Sequence, residues 1–286
     1  MLKSLLLLGL LFNAAQAETA LVANPPALRL ALSVVMLAEQ QEMLLRWQNY
    51  LASHLHRPVV LVQRRSYREM IDGLAAGRID AGWICSGPHL LYPQAQRLLA
   101  VPIWQGKPMY QSYLIVPKSD THTQSLTDLR GKIFAYSDPE SNSGYLIPNL
   151  AVLRLGANPK TFFSKTLFTY SHRKSVLAVA DGLVQGASVD SYVYTQLARF
   201  QPDLIARTRV VSQSPDYGFP PFVASNHLPD AELYRLRAVL LAMTDDAEGR
   251  ALLMYIGLDG FITGDKKLFT GVASLMKERE QHEKTH

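Results

Sequence analysis

The chain has 286 residues, of which 48% are hydrophobic and 19% are charged, and it carries a formal net charge of +5. This composition excludes a disordered, collagen-like or coiled-coil chain, and the length allows one large domain or two medium ones. The basic residues are scattered and form no stripe, so we do not expect a nucleic-acid partner. The single cysteine, Cys85, has no second thiol for an internal disulfide, and its place after an apolar run predicts a buried side chain.

The first 17 residues have the pattern of a secretory signal peptide. Lys3 supplies the positive start, residues 5–12 form an apolar run, and Ala15-Gln16-Ala17 matches a cleavage site. The apolar run is too short to span a bilayer, and no later segment reaches about 18 uninterrupted apolar residues. We therefore expect an exported protein whose mature chain begins near Glu18, with residues 18–27 as a linker.

Strands and helices alternate in the first part of the mature chain, which is typical of a mostly parallel sheet covered by helices. Ligands of such sheets bind beyond the carboxyl ends of the strands. The predicted elements are a strand from Leu28 to Val35, a helix from Glu39 to Leu55, a strand over residues 59–62, a helix from Tyr67 to Ala76, a strand from Ile79 to Cys85, a loop at Ser86-Gly87-Pro88, a short helix near residues 90–98 and a strand from Leu99 to Trp104.

A second α/β pattern follows after a β-forming segment at residues 110–116. Its predicted elements are a short helix at 125–129, strands at 132–136, 167–170 and 187–189, helices at 144–155, 171–183 and 191–199, and a last extended segment at 207–211. A turn-rich stretch at 214–221, a strand at 222–224 and helices at 230–244 and 246–255 end the fold, and the charged tail from Lys277 is expected to fray.

Two α/β units joined by extended segments near residues 110 and 210 predict two lobes with a hinged cleft between them. We assign residues 28–112 and 213–275 to the first lobe, 113–212 to the second, and 276–286 to the charged tail.

A polar turn at residues 137–145 stands between a predicted strand and a predicted helix. Ser141, Asn142 and Ser143 precede Gly144, after which the pattern becomes helical. Backbone N–H groups, the helix dipole and short hydroxyl donors could together hold an anion there. The alternative is an ordinary helix N-cap, in which Ser141 or Ser143 serves only its own helix.

An ordered series of segments resembles the periplasmic binding proteins of ABC importers for phosphonate, phosphite and phosphate. The resemblance covers about residues 28–245. It rests on Tyr67…Asp80, Tyr110-Gln111-Ser112, Ser137-Asp138-Pro139, Ser141-Asn142-Ser143-Gly144-Tyr145, Phe162-Phe163, Ser171-His172, Ala178-Val179-Ala180-Asp181-Gly182, Ser214-Pro215 and Pro220-Pro221.

The resemblance implies an α/β, two-lobed periplasmic-binding-protein-like fold of type 2, each lobe a mixed, mainly parallel sheet flanked by helices, with the ligand in the cleft. It further implies that Ser141, Asn142 and Ser143 form an anion cradle. His172, Tyr110 and Tyr67 match ligand-contacting positions of the family.

Asp190 and Asp216 could accept a hydrogen bond from a ligand amine or a protonated oxygen, or could simply cap or solvate a turn. The chain departs from the family at Gln185-Gly186, where an acidic residue is common, and in the loop beginning at Ser86. These departures concern the part of a ligand beyond its phosphoryl group.

Ser, His and Asp are all present, but no Gly-x-Ser-x-Gly elbow or nucleotide-binding fingerprint is found, so we expect no enzyme and no cofactor. His54 and His56 lack partners at metal-ligand spacing, so no metal site is expected.

The resemblance therefore implies a monomeric periplasmic protein that delivers phosphonate, phosphite or a related small oxyanion to an ABC permease in the inner membrane. The alternative is a ligand-sensing periplasmic partner of a membrane signalling receptor such as a sensor kinase.

Overall fold

The structure, a computed structural model, describes residues 25–32 and 41–285. The predicted signal peptide, the predicted linker up to residue 24, and His286 lie outside these ranges. Residues 33–40, where the sequence predicts the end of the first strand and the start of the first helix, also lie outside them.

Within the described residues, the strands form two large sheets and one two-stranded ribbon. The strands are β1 Leu28–Leu32, β2 Val59–Gln63, β3 Ala81–Trp83, β4 Gln96–Ile103, β5 Met109–Tyr110, β6 Ser112–Pro117, β7 Ile133–Tyr136, β8 Lys165–Phe168, β9 Gly186–Asp190, β10 Thr208–Gln213, β11 Tyr217–Gly218, β12 Phe222–Ser225 and β13 Gly260–Ile262.

The sheet with the order β13-β4-β12-β3-β1-β2 defines lobe 1, and the sheet with the order β10-β6-β9-β7-β8 defines lobe 2. In lobe 1, β1 pairs in parallel with β2 and β3, and in lobe 2, β7 pairs in parallel with β8 and β9; the other neighbours are antiparallel. Both sheets are thus mixed, as predicted, but they are not mainly parallel, because the parallel pairs do not outnumber the antiparallel pairs in either sheet. The predicted lobe boundaries at residues 112–113 and 212–213 fall within β6 and β10, which both belong to the lobe 2 sheet. The boundaries therefore stay a prediction.

Helices cover the sheets. They are α1 Gln41–Leu55, α2 Tyr67–Ala75, α3 Ser86–Leu91, α4 Ile147–Arg154, α5 Pro159–Phe162, α6 His172–Ala180, α7 Ser191–Phe200, α8 Pro202–Ile205, α9 Asp230–Leu241, α10 Ala247–Ile256 and α11 Thr270–Thr285.

Parallel pairing in lobe 2 determines where its polar loops meet. Because β7 lies between β8 and β9 and runs parallel to both, the three strands end at the same edge of the sheet. Ser137 follows β7 at this edge, Asp190 ends β9, and α6 begins at His172 soon after β8.

The two lobes are packed against each other at their helices as well as at the cleft. The phenol of Tyr192 in α7 donates to the carbonyl of Ile256 in α10 at 2.7 Å. In a second contact between the lobes, Val272 and Leu275 of α11 are buried in one cluster with Leu150 and Leu153 of α4. Burial of these apolar side chains favours the arrangement in which the lobes are in contact.

Three sequence predictions are wrong at the level of single elements. The short helix predicted near residues 90–98 ends at Leu91, and residues 96–98 belong to β4. Residues 86–88 begin α3 rather than a loop, because Cys85 adopts the extended backbone of an N-cap. Pro88 is tolerated in the first turn, where a backbone N–H has no partner within the helix. The tail is helical to Thr285 rather than frayed, since Val272 and Leu275 bury one face of α11 and Arg154 pairs with Glu278 at 2.7 Å.

Along the described part of the chain, the helices are all too short or too polar to cross a membrane.

Candidate functional site

The polar turn after β7 adopts the conformation of a helix start. Ser141 is the N-cap, and its hydroxyl accepts the N–H of Gly144 at 2.9 Å. A π-helical turn from Asn142 to Leu146 then leads into α4. The Ser112 hydroxyl donates to the carbonyl of Ser143 at 2.7 Å and thereby fixes the middle of the turn. The capping alternative therefore describes Ser141 correctly but leaves Ser143 unexplained.

Polar atoms without a partner gather around Gly144. The hydroxyls of Ser137 and Ser143 and Nε2 of His172 are buried and have no hydrogen-bond partner among the described residues. A β-carbon placed on Gly144 would lie 1.8 Å from Ser137 Oγ and 3.2 Å from His172 Cε1, so both side chains are packed closely against the glycine. Buried polar groups in native proteins are normally paired, so this concentration points to a ligand. We call Ser137, Ser143 and His172 the lobe 2 donor group.

The hydrogen bond to the other ring nitrogen determines which proton His172 carries. The backbone N–H of Asp190 donates to Nδ1 at 3.1 Å, so this nitrogen must keep its lone pair. The neutral ring then has its proton on Nε2, the atom without a partner. Burial lowers the pKa of His172 to about 3, so the ring is a neutral donor at physiological pH.

Asp190 lies directly beside His172 and is the N-cap of α7. Its Oδ1 accepts the N–H groups of Tyr192 at 2.8 Å and Val193 at 3.1 Å. Burial raises the pKa of Asp190 to about 7, although these two bonds act in the opposite direction.

Asn142 and Tyr110 connect the turn to lobe 1. The Asn142 side-chain amide donates to the Tyr110 hydroxyl at 3.0 Å, and the Asn142 backbone N–H donates to Cys85 Sγ at 3.3 Å. The Tyr110 hydroxyl also lies 3.4 Å from Ser86 Oγ. Burial, followed by the nearby Cys85 and Asp190, raises the pKa of Tyr110 well above its ordinary value, so the phenol stays protonated.

Tyr67 opens α2 on the lobe 1 side. Its backbone N–H donates across the cleft to Asp138 Oδ2 at 3.2 Å. Its ring is buried, and burial, followed by Cys85 and Asp138, raises the pKa of the phenol. Tyr67 therefore takes part in the contact between the lobes and keeps its hydroxyl proton.

The structure brings the seven candidates named from the sequence to one region between the lobes, although their ligand roles stay proposals. These candidates are Tyr67, Tyr110, Ser141, Asn142, Ser143, His172 and Asp190. Asp216 lies elsewhere, in an ion pair with Lys107.

Sequence reasoning did not single out Ser137. Its position directly after a parallel strand was the available signal, because ligand-binding residues concentrate at carboxyl ends of strands.

The chemistry of this region suits an oxyanion better than a cation. No lysine or arginine in the described ranges forms an ion pair with Asp190 or a hydrogen bond with the lobe 2 donor group. The same residues contain no cluster of His, Cys, Asp and Glu that could hold a metal ion. Neutral hydroxyl and imidazole donors, supported by helix N-termini, can hold an oxyanion without a fixed positive charge.

Comparisons with known proteins identify the family of the chain. A family model described as "ABC transporter, phosphonate, periplasmic substrate-binding protein" matches residues 34–269, more than half of the chain. The phosphonates-binding periplasmic protein of Escherichia coli K12 is 25% identical over 198 residues, which is 67% of this chain. The chain spans 58% of the length of that relative.

Two solved structures resemble the fold over most of the chain. A binding protein component of an ABC phosphonate transporter from Pseudomonas aeruginosa has a TM-score of 0.84 at 22% identity, covering 90% of this chain and 88% of its own. PhnD1 from Prochlorococcus marinus, solved in complex with methylphosphonate, has a TM-score of 0.78 at 17% identity, covering 90% and 99%.

These structures confirm the predicted two-lobed periplasmic-binding-protein fold. The family consists of substrate-binding proteins rather than enzymes, which confirms the prediction of a non-enzymatic chain. The chain belongs to the family of periplasmic substrate-binding proteins of phosphonate ABC transporters.

Proposed function

We propose that this protein is the periplasmic solute-binding component of an ABC importer and that it binds phosphonate, phosphite or a related small phosphorus oxyanion. The observation that carries the proposal is the lobe 2 donor group, with three buried polar atoms that lack partners among the described residues. Family membership supports the transport role.

The donor group offers the hydrogen-bond donors that a small oxyanion needs. Ser137 and Ser143 provide hydroxyl donors, and His172 provides an N–H from the first turn of α6. The dipole of that helix also favours a negative charge at its N-terminus. An oxyanion bound there would satisfy groups whose burial without a partner costs about 1–3 kcal/mol each.

Export and delivery complete the proposal. The signal-peptide pattern at residues 1–17 would send the chain to the periplasm, where the closed, ligand-bound form would be delivered to an ABC permease in the inner membrane. Closure on the ligand requires only that the ligand make more contacts in the closed state than in the open one.

The proposal can be tested with a thermal-shift panel on the mature protein. We expect phosphite, phosphate, methylphosphonate or aminoethylphosphonate to raise Tm, because a ligand that binds only the folded state stabilises it by mass action. Sulfate and small carboxylates serve as comparison anions. Absence of a shift with every phosphorus oxyanion would contradict the proposed ligand class.

Transport and sensing are distinguished in cells. Deletion of the gene should abolish uptake of the oxyanion that binds. Retained uptake together with a lost transcriptional response would instead favour the sensor alternative.

A further inference from the structure

The rim of the cleft carries a contact between the lobes that shares no residue with the lobe 2 donor group. The phenol of Tyr92, which follows α3 in lobe 1, donates to Oε1 of Glu140 at 2.6 Å. Glu140 lies in the turn after β7 in lobe 2, one residue before the Ser141 cap. Arg68 of α2 donates to the same phenol oxygen at 2.9 Å. We call Arg68, Tyr92 and Glu140 the rim clasp.

Each half of the rim clasp is held in place by its own lobe. In lobe 1, Asp72 pairs with Arg68 Nε at 3.1 Å, and the Arg68 guanidinium lies 5.2 Å from the centre of the Tyr92 ring. In lobe 2, the Glu140 backbone N–H donates to Asp138 Oδ1 at 2.8 Å. None of these contacts crosses the cleft, so separation of the lobes would break only the bonds to the Glu140 side chain.

The hydrogen bond from Tyr92 contributes more to this contact than the ion pair does. Arg68 Nη1 lies 3.9 Å from Glu140 Oε1, and the Arg68 side chain is 59% exposed, so water screens the pair. The Glu140 side chain is only 14% exposed, and burial raises the pKa of its carboxyl group, because the charged form has lost water. A hydrogen bond to a carboxylate is stronger than a neutral one, so the Tyr92 hydroxyl offsets part of that loss.

The backbones of the two lobes also meet at the rim clasp. A β-carbon placed on Gly87 of α3 would lie 2.3 Å from the Glu140 carbonyl oxygen and 3.3 Å from the Asn142 nitrogen. Backbone atoms cannot move aside as the end of a flexible side chain can, so this close approach requires a glycine. Because the glycine and the carbonyl lie in different lobes, the requirement applies only to the closed state.

We propose that the rim clasp is a conformational device that favours the closed state of the protein and slows its opening, whether or not a ligand is bound. The inference goes beyond the proposed function, because it does not depend on which molecule the cleft takes. The clasp contacts join protein groups to each other, so they should change the closing equilibrium by the same factor for every ligand.

The single cysteine offers a measure of opening that needs no ligand. Cys85 is 1% exposed, and its sulfur accepts the Asn142 N–H across the cleft, so separation of the lobes uncovers it. The rate at which iodoacetamide alkylates the ligand-free protein therefore follows the open fraction. Tyr92→Phe keeps the ring but removes the hydroxyl, so alkylation should become about 3- to 10-fold faster, as expected from the loss of one hydrogen bond.

Tyr194→Phe is the matched control, because the Tyr194 hydroxyl lies 2.9 Å from Thr208 Oγ1 within lobe 2. Its alkylation rate should equal that of the unmodified protein. Gly87→Ala should accelerate alkylation more than Tyr92→Phe does, since the added β-carbon keeps the lobes apart. Circular dichroism spectra that match the unmodified protein would show that the faster reaction reports separation of the lobes rather than loss of the fold.

The outcomes separate this inference from the proposed function. An unchanged alkylation rate in Tyr92→Phe, or an equal increase in Tyr194→Phe, would overturn the rim clasp and leave the proposed function intact. With methylphosphonate and phosphite as probes, Tyr92→Phe should release both faster by the same factor. Unequal factors would assign the hydroxyl to the ligand and also overturn the clasp. Failure of every phosphorus oxyanion to bind would overturn the proposed function and leave the alkylation result standing.

Discussion

On the lobe 2 side of the cleft, Ser137, Ser143 and His172 each hold a buried polar atom without a partner among the described residues. The lobe 1 side differs, because Cys85 accepts the Asn142 N–H and Ser86 lies within hydrogen-bond distance of the Tyr110 hydroxyl. Both sides are buried and polar, but the three buried donors that lack a partner within the described ranges lie on the lobe 2 side. The difference supports the proposal that lobe 2 binds the oxyanion and that lobe 1 closes over it.

Among the substitutions, Gly144→Ala should have the largest effect on oxyanion binding by the lobe 2 side. The new β-carbon would lie 1.8 Å from Ser137 Oγ, so the turn and the donor group must move apart. We expect loss of measurable oxyanion binding and a destabilisation of about 1–3 kcal/mol, the usual cost of overpacking. Calorimetric titration and chemical unfolding would measure the two effects.

Gly271→Ala is the matched control for this change. It also adds a β-carbon to a helical glycine, but the nearest atom is Tyr217 Cδ1 at 3.2 Å. Binding should be retained. If Gly144→Ala also bound ligand normally, the close packing around the turn would have no role in recognition.

His172→Ala should reduce oxyanion affinity by about 10- to 100-fold, because it removes a hydrogen bond to a charged group. His89→Ala is the control, since His89 pairs with Gln96 within lobe 1. Affinity measured by titration should change little in this control. Equal losses of oxyanion affinity in the two variants would contradict the proposal that the lobe 2 side, and not the lobe 1 side, binds the oxyanion.

The pH dependence of stability offers a second measurement on His172. Its pKa of about 3 in the folded protein lies below the ordinary value of 6.5, so the unfolded chain takes up the proton first on acidification. Stability should therefore fall as the pH drops from 6.5 towards 3, by up to about 1.4 kcal/mol per pH unit from this group. Unfolding curves of His172→Ala should lack this contribution. Asp190 acts in the opposite direction, because its raised pKa removes stability as the pH rises from 3.8 towards 7.

The sequence predicted the strand–turn–helix at residues 132–155 and the helix start at His172 because those signals are local. A strand, a cap and apolar spacing follow from neighbouring residues. Ser137 was missed although it directly follows a strand, because its packing near Gly144 and His172 depends on residues that are distant in the sequence or in the turn. Likewise, nothing near Cys85 in the sequence shows that its sulfur would accept an N–H from a residue 57 positions away.

Ser143→Ala and Ser225→Ala should behave in opposite ways. Ser143 Oγ has no described partner, so its removal should leave stability unchanged or slightly higher while affinity falls by about 10-fold. Ser225 Oγ donates to the Leu74 carbonyl at 2.7 Å and lies away from the donor group, so its removal should cost about 1–3 kcal/mol without changing affinity. Chemical unfolding and titration of both variants would show whether stability and ligand affinity change independently.

Cys85→Ser should have the smallest effect on oxyanion affinity. The serine hydroxyl can still accept the Asn142 N–H, so the contact that closes the lobes is kept. We expect titration to show an affinity within about threefold of the unmodified protein, well below the change expected from losing one charged hydrogen bond. A loss comparable to that of His172→Ala would mean that the lobe 1 side binds the ligand directly.

The most direct measurement is a crystal structure of the mature protein with methylphosphonate. The account predicts that phosphonyl oxygens lie within about 2.7–3.2 Å of Ser137 Oγ, Ser143 Oγ and His172 Nε2. A phosphonate bound elsewhere, with these three atoms still unpaired, would contradict it.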